Sequence, residues 1–171
     1  MVIDTLLFAR SARTMDGRLP ALSCTRLCQD LPMEQPGIFE WRLVGRTDAG
    51  RSDAARAWLD VRVRGQVRVV CQRCLAPFDL ELCVDSTLGL VDDAAQLEAA
   101  DALETGGCGS ETEYLVADPH LDVQALIEDE LILVLPYAPR HDVCPGAGAA
   151  PDPLDAKRPS PFAALARLRK H

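Results

Sequence analysis

Three shortages set the first limits on this chain of 171 residues. Aromatic side chains make up only 5% of it, so a core must be filled by Leu, Val, Ala and Ile, and base-stacking platforms are scarce. No stretch of about 18 apolar residues occurs, so no membrane-spanning helix is expected. The opening run Met1 to Phe8 has neither a basic region nor a long apolar one and does not read as a secretory signal. The third shortage is local: from Cys74 to Pro139 there are 15 Asp and Glu and not one Lys or Arg. The net charge of −8 therefore hides a division, because the rest of the chain carries 11 acids against all 18 bases, a net of +7. A dipolar chain of this kind is not excluded from contact with a polyanion by its overall sign.

With 48% hydrophobic content, the length fits one core-bearing domain plus tails. Seven cysteines, an odd and scattered set, suit a reducing cytoplasm in which thiols stay free or hold metal. Cys71-Gln72-Arg73-Cys74 sits between two strand-like runs and forms half of a metal site. A Cys-x-x-Cys in a tight connection points both sulfurs to one side, and Zn²⁺ then needs a second pair of donors. His141 and Cys144, the latter 70 positions beyond Cys74, supply that pair; the alternative leaves the four as unliganded side chains. A redox role is disfavoured, since no helix start follows to depress a thiol. Cys24 and Cys28, four apart, read as small buried or half-buried thiols, with a ligand pair as the lesser alternative.

Strand signals begin after Gly37. Phe39, Trp41 and Leu43 alternate with Glu40, Arg42 and Arg46; Leu59, Val61 and Val63 alternate with Asp60, Arg62 and Arg64. Gly65-Gln66 reads as a two-residue hairpin turn, after which Val67, Val69 and Cys71 continue the inward face. Phe78 to Leu90 forms the next alternating run. The expected fold is α+β: an antiparallel meander of about four or more strands packed by one main helix, capped by Asp122 and ended by Pro136. In that helix Val123, Leu126, Ile127, Glu130, Leu131 and Val134 share a face, and Glu128, Asp129 and Glu130 read as a mostly solvated acidic run.

Residues 1–144 are read as a single domain containing a mobile acidic insertion at 92–113, and 145–171 as a Pro/Gly linker followed by a basic C-terminal helix. Arg42, Arg46, Arg62, Arg64 and Arg68 fall on the outward faces of neighbouring strands, where guanidinium groups could pair bidentately with phosphate; Trp58 is the one aromatic read onto that face. The bland alternative is a solvated face whose arginine stems cover apolar surface. Lys157, Arg158, Arg167, Arg169 and Lys170 give the last segment a basic helix with Phe162, Leu165 and Leu168 on one side, a form suited to RNA or a ribosomal partner. No phosphate-binding glycine loop, nucleophile elbow or His-Glu metal motif appears.

Cys71-Gln72-Arg73-Cys74-Leu75 with Pro77, then Glu128-Asp129-Glu130-Leu131-Ile132-Leu133-Val134-Leu135-Pro136 with Pro139, His141 and Cys144, resembles the YceD family. Arg158-Pro159-Ser160-Pro161-Phe162-Ala163-Ala164-Leu165 is similar to the tail of its proteobacterial members. The resemblance implies a cytoplasmic, non-enzymatic factor supporting synthesis, processing or stability of 23S rRNA. Its implied partners are that RNA or its precursor and large-subunit assembly particles or ribosomal proteins, with no membrane and no small-molecule substrate. Other members continue past Cys144 with a second Cys-x-x-Cys; here the run is Cys144-Pro145-Gly146-Ala147, a departure from a four-cysteine site. Two other readings stand beside it: a metal-dependent RNA-processing enzyme using the acids around Glu128, and a Zn-stabilised adaptor that binds protein through the C-terminal helix.

Overall fold

Alternation of apolar and polar residues over long stretches dictates a sheet with one buried face, and the computed structural model is built on one. The structure describes residues 1–48, 56–104 and 113–145. The chain divides into two compact units, Met1–His141 and Asp142–His171. In chain order the first unit runs β1 (Val2–Ile3), α1 (Thr5–Arg10), β2 (Thr14–Pro20), β3 (Ile38–Asp48), β4 (Arg56–Val70), β5 (Pro77–Val91), α2 (Ala94–Glu104), β6 (Glu113–Val116), β7 (Leu121–Asp122) and α3 (Val123–Val134). Five strands form the sheet in the order β2-β3-β4-β5-β6, antiparallel except for the parallel β5–β6 pair, while β1 and β7 make a separate two-stranded sheet. The architecture is the expected α+β one.

Leu59, Val61, Val63, Val67 and Val69 of β4 are buried on the inner face, opposite Leu82, Val84 and Leu88 of β5. Helices α1 and α3 pack against this side of the sheet. Two glycines let backbones approach. A Cβ on Gly45 would lie 2.7 Å from Ala9 Cα and Phe8 O, so α1 rests directly on β3 there. A Cβ on Gly65 would lie 2.4 Å from the Phe39 ring.

That second contact corrects the expected hairpin at Gly65-Gln66: β4 is one continuous strand of 15 residues. A two-residue turn there would pair Val63 with Arg68 and place them on one face, whereas odd-numbered residues stay buried from Leu59 to Val69, Gly65 apart. Gly65 is small because an aromatic ring fills its Cβ position.

Residues 1–38, which give no clear periodicity, contain α1 and the edge strand β2; α1 has only six residues and is capped by Asp4, which accepts from Leu7 N at 2.9 Å. The 92–113 segment contains α2 and the first residue of β6, with 105–112 outside the described residues. Helix α3 starts at Asp122 as expected, its carboxylate accepting from Gln124 N at 3.0 Å, but Val134 is exposed. Glu128 and Glu130, read as solvated or marginal, are both buried.

The loop at 49–55 and the linker and basic tail at 146–171 lie outside the described residues, and with them Lys157, Arg158, Arg167, Arg169 and Lys170. Among the described residues no helix is long and apolar enough to cross a membrane.

Candidate metal centre and nucleic-acid face

Where β4 ends, Cys71 begins a tight knuckle that returns the chain into β5. Leu75 N donates to Cys71 O at 2.9 Å and Cys71 N to Ala76 O at 3.0 Å. Closing the turn forces Leu75 to φ 60°, a left-handed conformation that costs a non-glycine residue about 1–3 kcal/mol and persists where surrounding contacts demand it. Past α3, the segment ending at His141 is held to the knuckle by Gln72 N donating to Pro139 O at 2.8 Å and by Arg73 donating to His141 O at 3.1 Å.

Cys71, Cys74 and His141 are thus brought together, their donor atoms within 4.8 Å of one another. His141 Nδ1 lies 3.4 Å from Cys74 Sγ, and His141 N donates to Cys71 Sγ at 3.5 Å. The imidazole is braced on the Phe78 ring, with 4.4 Å between centroids. Burial works to raise the Cys71 thiol, but the backbone N–H groups of Cys74, His141 and Arg73, with the His141 side chain, outweigh it and lower the pKa to about 5. A sulfur ringed by N–H donors is prepared as a thiolate, the form that binds metal. Metal–sulfur and metal–nitrogen bonds of about 2.3 and 2.0 Å in a tetrahedron place S and N about 3.5 Å apart, so the pair at 3.4 Å fits Zn²⁺ without rearrangement. Cys144 lies in the second unit and is buried.

The other expected thiol pair has the opposite chemistry. Burial pushes Cys24 up to about 12, helped by the nearby Glu128, and burial also raises Cys28, whose Sγ donates to Ala21 O at 3.2 Å. Both behave as neutral packing groups.

On the outer face of the sheet, Arg42, Arg46, Arg62, Arg64 and Arg68 do share one side, as the alternation predicts. Their surroundings differ from a bare basic patch. Arg68 makes a two-pronged contact with Asp79 at 2.8 and 3.2 Å, which raises its own pKa and lowers that of Asp79. Arg46 reaches Asp60 and Asp48, each at 3.1 Å, and its guanidinium lies 5.2 Å from the Trp58 ring centroid. Arg62 meets Asp85 at 3.0 Å. Among the described residues Arg42 and Arg64 form no ion pair. Strand β5 supplies acids to this face, because antiparallel register sets Asp79 and Asp85 opposite Arg68 and Arg62.

A second aromatic joins Trp58 there: Tyr114 of β6, 6.5 Å away between centroids, fits over Gly89, whose missing Cβ leaves room for the ring. Sequence patterning gives no sign of it, since it depends on a parallel pairing across an intervening helix.

The acids of α3 have structural roles that their run of charge conceals. Glu128 accepts from Arg26 N at 2.6 Å, Leu27 N at 3.1 Å and Arg26 Nε at 3.1 Å, clamping the 24–28 turn to the helix. Asp129 takes another nitrogen of the same guanidinium. Glu130 points the other way and accepts from Ser86 Oγ on β5 at 2.7 Å. With both Glu128 oxygens taken by protein donors, that carboxylate is already engaged in holding the fold. The spacing of charges carries no hint of these partners, which are about 100 residues away along the chain for Glu128.

No solved structure matches the chain. A curated relative from Haemophilus influenzae, "Large ribosomal RNA subunit accumulation protein YceD", is 33% identical over 121 residues, covering 64% of this chain and 63% of its own length. The family model "Large ribosomal RNA subunit accumulation protein YceD" matches residues 59–169, a stretch that begins in β4 and takes in the knuckle, β5, α3 and His141. The chain therefore belongs to the YceD family.

Proposed function

We propose that this protein is a cytoplasmic, non-enzymatic factor that supports the accumulation of 23S rRNA, acting on its synthesis, processing or stability during large-subunit assembly. Membership of a family described by accumulation of large-subunit ribosomal RNA carries the reading. In it, RNA or an assembling large subunit is gripped by arginines of the outer sheet face and by the basic segment containing Lys157, Arg158, Arg167, Arg169 and Lys170. Cys71, Cys74 and His141, joined by Cys144 three residues on, hold a structural Zn²⁺. The ion supplies a cross-link between the β4–β5 knuckle and the chain leaving α3, and no chemical step is assigned to it. The engagement of Glu128 by Arg26 and Leu27 speaks against a role for that carboxylate in metal-dependent RNA cleavage.

Sedimentation tests this reading. The protein should travel with immature large subunits at low ionic strength and leave them as salt rises, because phosphate contacts release counterions. Absence from those fractions at low salt would defeat the reading, as would Mg²⁺-dependent RNA cleavage by the pure protein. Metal analysis of protein purified without chelators should give one Zn²⁺ per chain.

A further inference from the structure

We propose that Arg42, Arg62 and Arg64 form a seat for the phosphodiester backbone of RNA on the outer face of the sheet, and that Arg46 and Arg68 are structural and take no part in it. The inference rests on the RNA-binding reading above and names where on the sheet that binding occurs.

Strand register creates the seat. Arg42 on β3 lies directly opposite Arg62 on β4, and Arg64 is the next outward residue along β4. Directly opposed side chains have Cβ atoms about 4.5–5.5 Å apart and diagonal ones about 7–8 Å, and like charges so placed destabilise the sheet. Arg42 and Arg64, both exposed, form no ion pair among the described residues, although the register sets Asp16 opposite Arg42 and Glu40 opposite Arg64. Arg62 has one, to Asp85, but both side chains are largely exposed, at 67% and 72%, and such contacts are weak and readily exchanged. Three arginines thus lie close together on neighbouring strands, two of them with no ion pair among the described residues and the third in an exposed one, and their guanidinium groups can take an anion. A phosphodiester accepts two parallel N–H bonds from one guanidinium at its two non-bridging oxygens, and the remaining lone pairs of those oxygens can accept from the next.

The space is available. Beside Arg42 an open depression of about 430 Å³ is lined by Asp16, Gly17, Arg18, Glu40 and Trp41 as well as Arg42 itself. Its two carboxylates can accept hydrogen bonds from ribose 2′-hydroxyls, groups that DNA lacks. Arg68, held at two points by Asp79, and Arg46, held between two aspartates and the Trp58 ring, already have their anions.

The test uses the full chain and a transcript of 23S rRNA, with binding measured at several salt concentrations. Arg42→Ala/Arg64→Ala should weaken binding about tenfold or more at low salt. It should also make the slope of log affinity against log salt shallower by about 1.4, since each of the two phosphates no longer neutralised accounts for about 0.7. Arg46→Ala/Arg68→Ala, which removes the same charge, should leave affinity and slope near those of the unmodified protein. Unmodified protein that binds while Arg42→Ala/Arg64→Ala binds equally well overturns this inference and leaves the broader reading standing. Equal weakening of the two double variants also overturns it, since net charge alone would then suffice. Failure of the unmodified protein to bind the transcript removes both.

Discussion

Replacing Glu128 by alanine tests how the fold is held together. Glu128 is 5% exposed, and its carboxylate satisfies the backbone N–H groups of Arg26 and Leu27, at 2.6 and 3.1 Å. Among the described residues neither donor has another acceptor, and Leu27 is itself buried. Leaving a buried donor unpaired costs about 1–3 kcal/mol; the Leu27 N–H is buried and the Arg26 N–H only partly so, which places the loss at about 3 kcal/mol. The Arg26 guanidinium keeps Asp129 and the Ala125 carbonyl and, being half exposed, can turn to water, so Arg26→Ala should cost much less. For a chain of this size the Glu128→Ala loss corresponds to a fall in Tm of about 6–12 °C. Urea unfolding followed by far-ultraviolet circular dichroism measures it directly. Glu128→Gln, which retains one acceptor oxygen, should fall between. A Glu128→Ala protein within about 1 kcal/mol of the unmodified one would refute the clamp. A Glu128→Gln protein that is fully stable yet has lost a Mg²⁺-dependent RNA cleavage would show the carboxylate to be catalytic instead.

Three further outcomes follow from the same geometry. Adding Zn²⁺ to metal-free protein should stabilise it by about 4 kcal/mol when free metal stands about 1,000-fold above Kd, and Cys74→Ser should abolish that gain; calorimetry with and without metal decides. Glu130 has its pKa raised by burial, with Glu113 and Asp129 adding to the effect and the Ser86 hydrogen bond opposing it. The folded state therefore holds this proton more tightly than the unfolded chain; the stability it contributes is full below the unfolded value and lost as pH rises through the folded one. Glu130→Gln, neutral at every pH and still able to accept from Ser86, should melt higher than the unmodified protein at pH 8, and the gap should close as pH falls below about 4.5. Gly45→Ala puts a Cβ 2.7 Å from Ala9 Cα and should cost about 1–3 kcal/mol by pushing α1 off β3, read as a lower Tm.

The sheet was legible because period-two alternation survives over long runs: Phe39 to Leu43, Leu59 to Val69 and Phe78 to Leu90 each declare a buried face. The same alternation spoke against a turn at Gly65, since an unbroken odd-numbered face requires an unbroken strand, but glycine followed by a polar residue carried a stronger local signal. Six-residue α1 and the charged edge strand β2 are too short or too polar to declare a period. The Cys71/Cys74/His141 convergence could be anticipated because a tight turn restricts where two thiols point, and a proline-punctuated segment after α3 has few ways to return. What sequence could not supply was pairing across the sheet: it put five arginines on one face, and only the register reveals that Asp79 and Asp85 stand opposite two of them while Arg42 faces Arg62. The burial of Glu128 was hidden for a similar reason, its donors belonging to a turn with no regular structure of its own.

The central claim is that this chain serves large-subunit ribosomal RNA by touching it. Ultraviolet crosslinking in living cells, followed by sequencing of the RNA joined to the protein, addresses that contact without disturbing it. The account predicts reads concentrated on 23S rRNA or its precursor, reduced for Arg42→Ala/Arg64→Ala. Crosslinked RNA with no enrichment of large-subunit sequences over the cell's total RNA would contradict it.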